Sequence, residues 1–150
     1  MITGIGHVAF RVTDLGRALD FYCGTLGFRE AFRLDRDGEP SPWIVYLQLA
    51  PGQFLELFPG GEGAVASRTR GAGYNHYCLE VDDLRATLRE LAARGLAVTG
   101  EPIRGMDENW QYWIQDPDGN AIELMEITAA SPQAAAGRAW PKAGEAPASA

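Results

Sequence analysis

The chain contains one sequence pattern twice, and this repeat constrains its fold more than any other feature. The copies occupy residues 4–15 and 73–84, with His7 and His76 in matching places 69 residues apart. After each histidine, an apolar residue stands three places on, a valine five places on, and an Asp-Leu pair at seven and eight. Such self-similarity indicates two copies of one supersecondary unit, which has to be recognised before a fold is assigned.

Each copy is followed by the same order of predicted elements, β-α-β-β-β. Alternation of apolar and polar residues predicts the first strand of each unit, and an aspartate N-cap predicts the start of each helix. Gly27 and Gly95 are predicted to end the helices. The predicted strands lie at 5–12, 28–34, 43–49 and 54–58, then at 75–81, 97–99, 110–115 and 120–127; the helices lie at 15–26 and 84–94, and a polar loop lies at 103–109. The sequence therefore predicts an α+β fold of two paired βαβββ modules.

The modules are separated by a linker and followed by a tail of different composition. We assign the first module to residues 1–58, a glycine-rich linker to 59–73 and the second module to 74–128, which together form one domain. Residues 129–150 are rich in alanine, serine, proline and glycine without periodicity. They predict a flexible tail that carries no chemistry.

Composition and charge exclude several classes of partner. The net charge of -7 argues against nucleic acid and against an anionic membrane surface. No apolar run is long enough to cross a bilayer, and the N-terminus lacks the pattern of a signal peptide, which predicts a cytoplasmic protein. Cys23 and Cys78 form no CxxC motif and are expected to be small buried side chains.

Four residues at matching places in the two copies are candidates for binding a metal ion. Each copy has a histidine on its first predicted strand and a glutamate within its last: His7 and Glu56, then His76 and Glu123. Apolar residues flank each glutamate, so alternation turns the carboxylates away from the helix-bearing face, as it does the imidazoles. We expect all four side chains on the concave, helix-free faces, which a curved sheet can gather into one cup.

The chemistry of this set favours one divalent metal ion. Imidazole and carboxylate ligands suit Ni, Co, Zn, Mn or Fe, whereas a closed structural zinc site usually contains thiolates. An ion with these four ligands keeps open positions for substrate oxygens, as Lewis-acid catalysis requires. Taken singly, a strand histidine is more often structural and a strand glutamate more often solvated. The matched pairs favour the metal, because half-buried glutamates are costly without a positive partner.

Aromatic residues are concentrated on the predicted strands next to these candidates. Single aromatic residues on strands most often belong to the core or to a dimer interface. Together they are also suited to form the apolar wall of a small-molecule pocket. The candidates for contact with substrate are Trp43, Tyr46, Phe54, Phe58, Trp110, Tyr112 and Trp113, together with the cation Arg11.

Several motifs together carry a resemblance to a known family. They are Gly-His-Val-Ala at 6–9, Asp-Phe-Tyr at 20–22, Leu-Gly-Phe at 26–28, Asn-His at 75–76, Asp-Pro-Asp-Gly-Asn at 116–120 and Ile-Glu-Leu at 122–124. This set resembles the vicinal oxygen chelate superfamily, which contains glyoxalase I, methylmalonyl-CoA epimerase, extradiol dioxygenases, fosfomycin-resistance transferases and bleomycin-binding proteins. The resemblance covers residues 4–128. It implies an incomplete barrel around a metal and a homodimer, with the cup built from modules of one chain or of two.

Within that superfamily, the ligand set is similar to that of small bacterial glyoxalase I enzymes, which use His, Glu, His and Glu. By this resemblance Glu56 or Glu123 is the catalytic base that moves a proton between adjacent carbons. Arg11 matches an arginine of glyoxalase I, whereas Gly60 stands where glyoxalase I has an asparagine. The resemblance implies a metal-dependent lyase or isomerase acting on a small substrate with vicinal oxygens, and leaves glutathione dependence open.

Two other functions stay open at this stage. A metal-free protein that binds an aromatic natural product, as bleomycin-resistance proteins do, is the first alternative. An Fe(II) extradiol-type dioxygenase, which needs iron and oxygen, is the second.

Overall fold

A computed structural model describes residue 2, residues 4–63 and residues 73–139 of the chain. The centre of the predicted linker and the end of the predicted tail lie outside these residues. In the first module the elements are β1 (His7–Arg11), α1 (Leu15–Leu19), a π-helical segment (Asp20–Thr25), β2 (Arg29–Leu34), β3 (Ile44–Ala50) and β4 (Gln53–Phe58). In the second module they are β5 (Tyr77–Glu80), α2 (Leu84–Ala93), β6 (Ile103–Arg104), β7 (Trp110–Gln115) and β8 (Ala121–Glu126), followed by α3 (Pro132–Ala139).

The two modules have the same sheet topology. The strand orders are β1-β4-β3-β2 and β5-β8-β7-β6. In each sheet the first strand pairs in parallel with the last, and the remaining pairs are antiparallel. A parallel first pair requires a crossover, which the helix of each module provides. This arrangement confirms the predicted α+β fold of two βαβββ modules.

The helices begin at matching aspartates because each aspartate supplies the same cap. The Asp14 carboxylate accepts the backbone N–H of Arg17 at 2.9 Å, and the Asp83 carboxylate accepts that of Ala86 at 2.8 Å. Gly27 and Gly95 follow the helices with positive φ angles of 81° and 97°. Glycine adopts this conformation without a steric penalty, so both helices end where the sequence predicted.

One hydrophobic core serves both modules. Buried side chains from β1, β3, β4 and the first helix belong to the same cluster as those from α2, β7 and β8. Burial of apolar area in this cluster is the main term that holds the sheets together. No helix among the described residues is long and apolar enough to cross a membrane.

A buried polar network also joins the modules, around the turn between β7 and β8. The Asp116 carboxylate accepts the Tyr22 hydroxyl at 2.8 Å, the backbone N–H groups of Asp118 and Asn120 at 3.0 and 2.7 Å, and the Asn120 side-chain amide at 2.7 Å. The Asp118 carboxylate accepts the Thr13 backbone N–H at 3.1 Å and also bonds to its hydroxyl. These bonds fix the turn of the second module against the first module.

The structure corrects one predicted strand. Residues 97–99 are not in a strand, and the short strand β6 lies instead at Ile103–Arg104, inside the predicted loop. The reason is that the Tyr112 hydroxyl bonds both backbone groups of Thr99, donating to its carbonyl at 2.8 Å and accepting its N–H at 2.7 Å. A backbone segment tied in this way by a side chain does not join a ladder.

The first part of the predicted tail also differs from expectation, because it contains helix α3. The Ser131 hydroxyl accepts the Ala134 backbone N–H at 3.0 Å as an N-cap, and Pro132 occupies the first helical position. Gln133 accepts a bond from the Asn109 side chain at 3.2 Å. Alanines have high helix propensity, so a capped and anchored segment becomes helical although its sequence shows no amphipathic period.

Candidate active site

The first His–Glu pair lies at the parallel junction of β1 and β4. His7 begins β1, and Glu56 stands in the middle of β4. The Nδ1 atom of His7 is 3.5 Å from the Glu56 carboxylate. Leu55 and Leu57, on either side of Glu56, are 1% and 0% exposed and face the core. Alternation along β4 therefore turns the carboxylate to the opposite face of the sheet, as the sequence predicted. We call His7 and Glu56 the first half-site.

The second pair repeats this arrangement between β5 and β8. His76 lies immediately before β5, and its Nε2 atom is 3.2 Å from the carboxylate of Glu123 on β8. The Asn75 side-chain oxygen lies 2.8 Å from Nδ1 of the same ring. With Nδ1 donating to this oxygen, neutral His76 turns an Nε2 lone pair toward the carboxylate. Two acceptors this close require a cation or a proton between them. We call His76 and Glu123 the second half-site.

Both carboxylates are buried, which distinguishes them from ordinary strand glutamates. Glu56 is 5% exposed and Glu123 is 4% exposed. A buried carboxylate is costly unless a positive group or several donors face it. The donor set, an imidazole and a carboxylate in each half-site, is the one that first-row divalent ions prefer. The residues present therefore fit such an ion on the chemistry of their donors.

Each buried carboxylate has a different neighbour in register on the same face. Tyr46 on β3 is paired with Glu56, and hydrogen bonding to this carboxylate raises the pKa of the Tyr46 hydroxyl. Cys78 on β5 is paired with Glu123; desolvation of its thiol, and then the Glu123 charge, raise its pKa to about 12. Both groups therefore stay protonated near neutral pH and present a donor to the carboxylate, the thiol being the weaker donor.

The two half-sites are not gathered around one point within the chain. Across residues 2, 4–63 and 73–139, no three His, Cys, Asp or Glu side chains are close enough to hold one metal ion. Both imidazoles line a groove of about 1120 Å³ between the modules, but its other walls are mostly apolar and neither Glu56 nor Glu123 lines it. One chain thus brings the four sequence-predicted ligands together only in pairs.

Five of the seven predicted aromatic residues lie close to a half-site. Tyr46 contacts the His7 ring edge-on at a centroid distance of 6.4 Å, and Trp113 contacts the His76 ring at 4.8 Å. Phe54 packs against Tyr46, and Trp43, which directly precedes β3, packs against Phe58. Phe54 and Phe58 alternate with the buried leucines of β4 and so share the face of the first carboxylate.

The other two aromatic residues are corrections, because they face the helix side of the second sheet. Tyr112 is paired with Leu124 and is 7% exposed, and Trp110 is paired with Glu126 and packs against the core. Neither side chain lies on the face that carries Glu123. The residue of β7 paired with Glu123 is Trp113, and side chains one or three places from Trp113 point to the opposite face. They stabilise the core and do not line a pocket on the site face.

The charged candidate for substrate contact lies on the same strand as the histidine of the first half-site. Arg11 stands four residues after His7 on the same face of β1; its guanidinium lies 5.7 Å from the Phe58 ring centroid and donates to the Pro59 carbonyl at 3.2 Å. Gly60, the other position of the recognition pair that the resemblance implies, has a positive φ of 79° and offers no side chain to a ligand. The cation of the expected recognition pair is thus present without its amide.

Two residues on the site faces were missed by the sequence analysis. Cys78 is exposed rather than buried, and its place two residues after His76 already indicates the same face by alternation. Phe32 on β2 pairs with Tyr46 because the register shifts between Glu30 and Phe32. A bulge of this kind changes the face on which later side chains lie, and no pattern in the sequence marks it.

Comparisons with known proteins agree with this geometry. A family model described as the Glyoxalase/Bleomycin resistance protein/Dioxygenase superfamily matches residues 4–124. Lactoylglutathione lyases of Haemophilus influenzae and Escherichia coli O157:H7 are 32% and 34% identical to the chain, over 80% of the chain and 90% of each relative. The crystal structure of a glyoxalase family protein from Enterococcus faecalis superposes with a TM-score of 0.69 at 25% identity, covering 82% of this chain and 97% of that one. Two βαβββ modules, a His–Glu pair in each and these matches make the chain a member of the glyoxalase/bleomycin resistance protein/dioxygenase superfamily.

Proposed function

We propose that this protein is a metal-dependent lyase or isomerase of the glyoxalase I type, acting on a small substrate with neighbouring oxygen atoms. The observation that carries the proposal is the repeated pair of a histidine and a buried glutamate, at 3.5 Å in one module and 3.2 Å in the other. Relatives named lactoylglutathione lyase support the same reaction class. A protein that only binds an apolar ligand has no need to bury two carboxylates beside imidazoles.

His7, Glu56, His76 and Glu123 would hold one divalent ion such as Ni, Co, Zn, Mn or Fe. When bound, such an ion supplies Lewis acidity that polarises the neighbouring oxygens of the substrate. Glu56 or Glu123 then takes a proton from one carbon and returns it to the adjacent carbon.

We further propose that the complete site is built from two copies of the chain, as a homodimer. The first half-site of one copy meets the second half-site of the other, and the twofold axis of a dimer makes this combination twice. The support is that each half-site supplies only two ligands, and that the described part of one chain contains no group of three. In this arrangement a monomer is an incomplete enzyme.

Metal content tests the proposal directly. Protein purified without chelator and without an immobilised metal is expected to contain a divalent first-row ion, and His76→Ala is expected to lose most of it. The reason is that His76 supplies the only imidazole within the second half-site. Elemental analysis measures both proteins, with Glu101→Gln as the control, because this exposed carboxylate pairs with Arg85 on the surface, away from both half-sites.

The result also separates the proposed function from its alternatives. A bound ion together with isomerisation of the adduct of methylglyoxal and a thiol supports the lyase or isomerase. The adduct is offered with glutathione and with a small neutral thiol, since Gly60 removes one expected contact to glutathione. Wild-type protein that contains no metal and takes none up on reconstitution would contradict the proposal and favour a ligand-binding protein. Iron together with oxygen-dependent ring cleavage would favour the dioxygenase.

A further inference from the structure

The face of the first half-site carries a continuous set of aromatic rings. Phe32 stacks on Tyr46 with centroids 4.3 Å apart and planes 22° from parallel. Tyr46 in turn meets Phe54 edge-on at 6.3 Å and the His7 ring edge-on at 6.4 Å. We call Phe32, Tyr46 and Phe54 the aromatic wall. Its rings extend from the candidate metal ligand to the edge strand β2.

The outer member of the wall is exposed although it is a large apolar side chain. Phe32 is 46% exposed, and the register shift in β2 places it beside Tyr46 on the site face. Single exposed apolar residues are ordinary on a protein surface. A ring that is already ordered by stacking, and that is linked through Tyr46 to a candidate metal-binding histidine, is a better surface for a flat ligand, because aromatic rings attract one another in stacked arrangements.

Two cations lie over other aromatic rings of the first module. The Arg36 guanidinium lies 5.0 Å from the Trp43 ring, Trp43 packs edge-on against Phe58 at 5.8 Å, and Arg11 lies 5.7 Å from the Phe58 ring. In the part of the chain that the structure describes, neither guanidinium has a carboxylate within ion-pair distance. Two arginines held over aromatic rings without an anionic partner complement a negatively charged ligand.

The second half-site has a different surface, so the wall is a property of one half only. Trp113 contacts His76, but Gln111 and Gln115 alternate with the core residues on the same strand, β7. The edge strand β6 has only two residues, and Ile103 rather than an aromatic residue stands on it. An apolar group is therefore favoured at the first half-site and a polar one at the second.

We propose that the aromatic wall binds a planar aryl group of the substrate, and that Arg11 and Arg36 favour substrates that carry an anionic group. This inference rests on the proposed function, because the neighbouring oxygens of the substrate are assigned to the two half-sites. The ligand class is an aryl-substituted organic anion with vicinal oxygens. Stacking on Phe32 selects the aryl group, and the His–Glu pairs select the oxygens.

Binding without turnover tests the aryl contact. Phenylglyoxylate and pyruvate share a 2-oxo acid group and differ in the aryl group, so their ratio of dissociation constants isolates the wall. Wild type is expected to prefer phenylglyoxylate by about tenfold or more, the ratio that corresponds to about 1.4 kcal/mol. Phe32→Ala is expected to remove most of this preference. Calorimetry or ligand-observed NMR measures both ligands, with metal-loaded and with metal-free protein.

Ile103→Ala is the matched control, since Ile103 is 57% exposed and lies on the corresponding edge strand of the other sheet. This variant is expected to keep the wild-type preference. Equal binding of the two acids by wild type would overturn the inference, as would an unchanged preference in Phe32→Ala. Dissociation of a dimer by Phe32→Ala, with the ligand preference retained, would also overturn it and assign the wall to the subunit interface.

The same data separate this inference from the proposed function. Preference for the aryl acid by a protein that isomerises no adduct would support the wall and contradict the lyase. Isomerisation of methylglyoxal and phenylglyoxal adducts at equal kcat/KM, unaffected by Phe32→Ala, would keep the lyase and contradict the wall.

Discussion

Glu123→Gln is expected to reduce kcat/KM for isomerisation by a factor of about 1,000, within the range that loss of a general base produces, and to reduce the bound metal. Glutamine keeps the shape of the side chain but removes the anion that faces His76 at 3.2 Å. The variant folds, because an uncharged amide is less costly to bury than an unpaired carboxylate. The measurement is steady-state kinetics together with elemental analysis of the same preparation.

Glu126→Gln is the matched control, three residues further along β8. The Glu126 carboxylate accepts the backbone N–H of Leu84 at 2.9 Å, at the start of helix α2. Its loss is expected to lower the free energy of unfolding by about 1 kcal/mol and to leave metal content and kcat/KM unchanged. Equal activity of Glu123→Gln and Glu126→Gln would contradict the assignment of Glu123 to the site.

Asp116→Ala is expected to lower the free energy of unfolding by about 3 to 5 kcal/mol, a large fraction of the stability of a domain of this size. Asp116 is 5% exposed and accepts four hydrogen bonds. Its removal leaves the Tyr22 hydroxyl and three amide donors without their acceptor. Burial raises the pKa of Tyr22 far above its usual value, so this hydroxyl stays a donor that needs a partner.

Two comparisons make this prediction specific. Tyr22→Phe removes one of the four donors and is expected to cost about 1 kcal/mol in the free energy of unfolding. Asp37→Ala, at an exposed turn between β2 and β3, is expected to change it by less than about 0.5 kcal/mol. Urea denaturation measures all three variants. A loss below about 1 kcal/mol for Asp116→Ala would show that the network does not join the modules.

Much of the fold follows from the repeat and from alternation. A matched pattern at His7 and His76 predicts two similar modules, and the aspartate caps and terminal glycines predict where their helices begin and end. The two His–Glu pairs follow from the same argument, because leucines and isoleucines beside the glutamates fix the faces of β4 and β8. Caps, terminal glycines and alternation each act within a few neighbouring residues, which is why the sequence predicts them.

The missed features depend on contacts that are distant in the sequence. Tyr112 is aromatic and lies on a strand near the site, but its position next to Trp113 turns it into the core, where its hydroxyl bonds Thr99. The sequence analysis assigned Tyr112 to the site because of the strand on which it lies. Alternation from Trp113, the residue paired with Glu123, instead turns Tyr112 toward the core. The bulge that turns Phe32 toward Tyr46, and the anchoring of helix α3 through Gln133, have no signal in local sequence.

The sequence also does not predict how the four ligands assemble, because no local pattern shows whether the two half-sites of one chain face each other. His7 and His76 line the same groove, but the carboxylates of their pairs do not. Geometry within one chain therefore supports two half-sites, and the proposed dimer would complete them.

The most direct test of the central claim is the metal content of a heterodimer of His7→Ala and His76→Ala chains, purified through two different peptide tags that bind no metal. If each complete site combines the first half-site of one copy with the second of the other, one of its two sites keeps both histidines. The heterodimer is then expected to contain about half of the wild-type metal, while each single variant contains little. A heterodimer as depleted as the single variants would place the site within one chain, and a wild-type protein without metal would contradict the metal site itself.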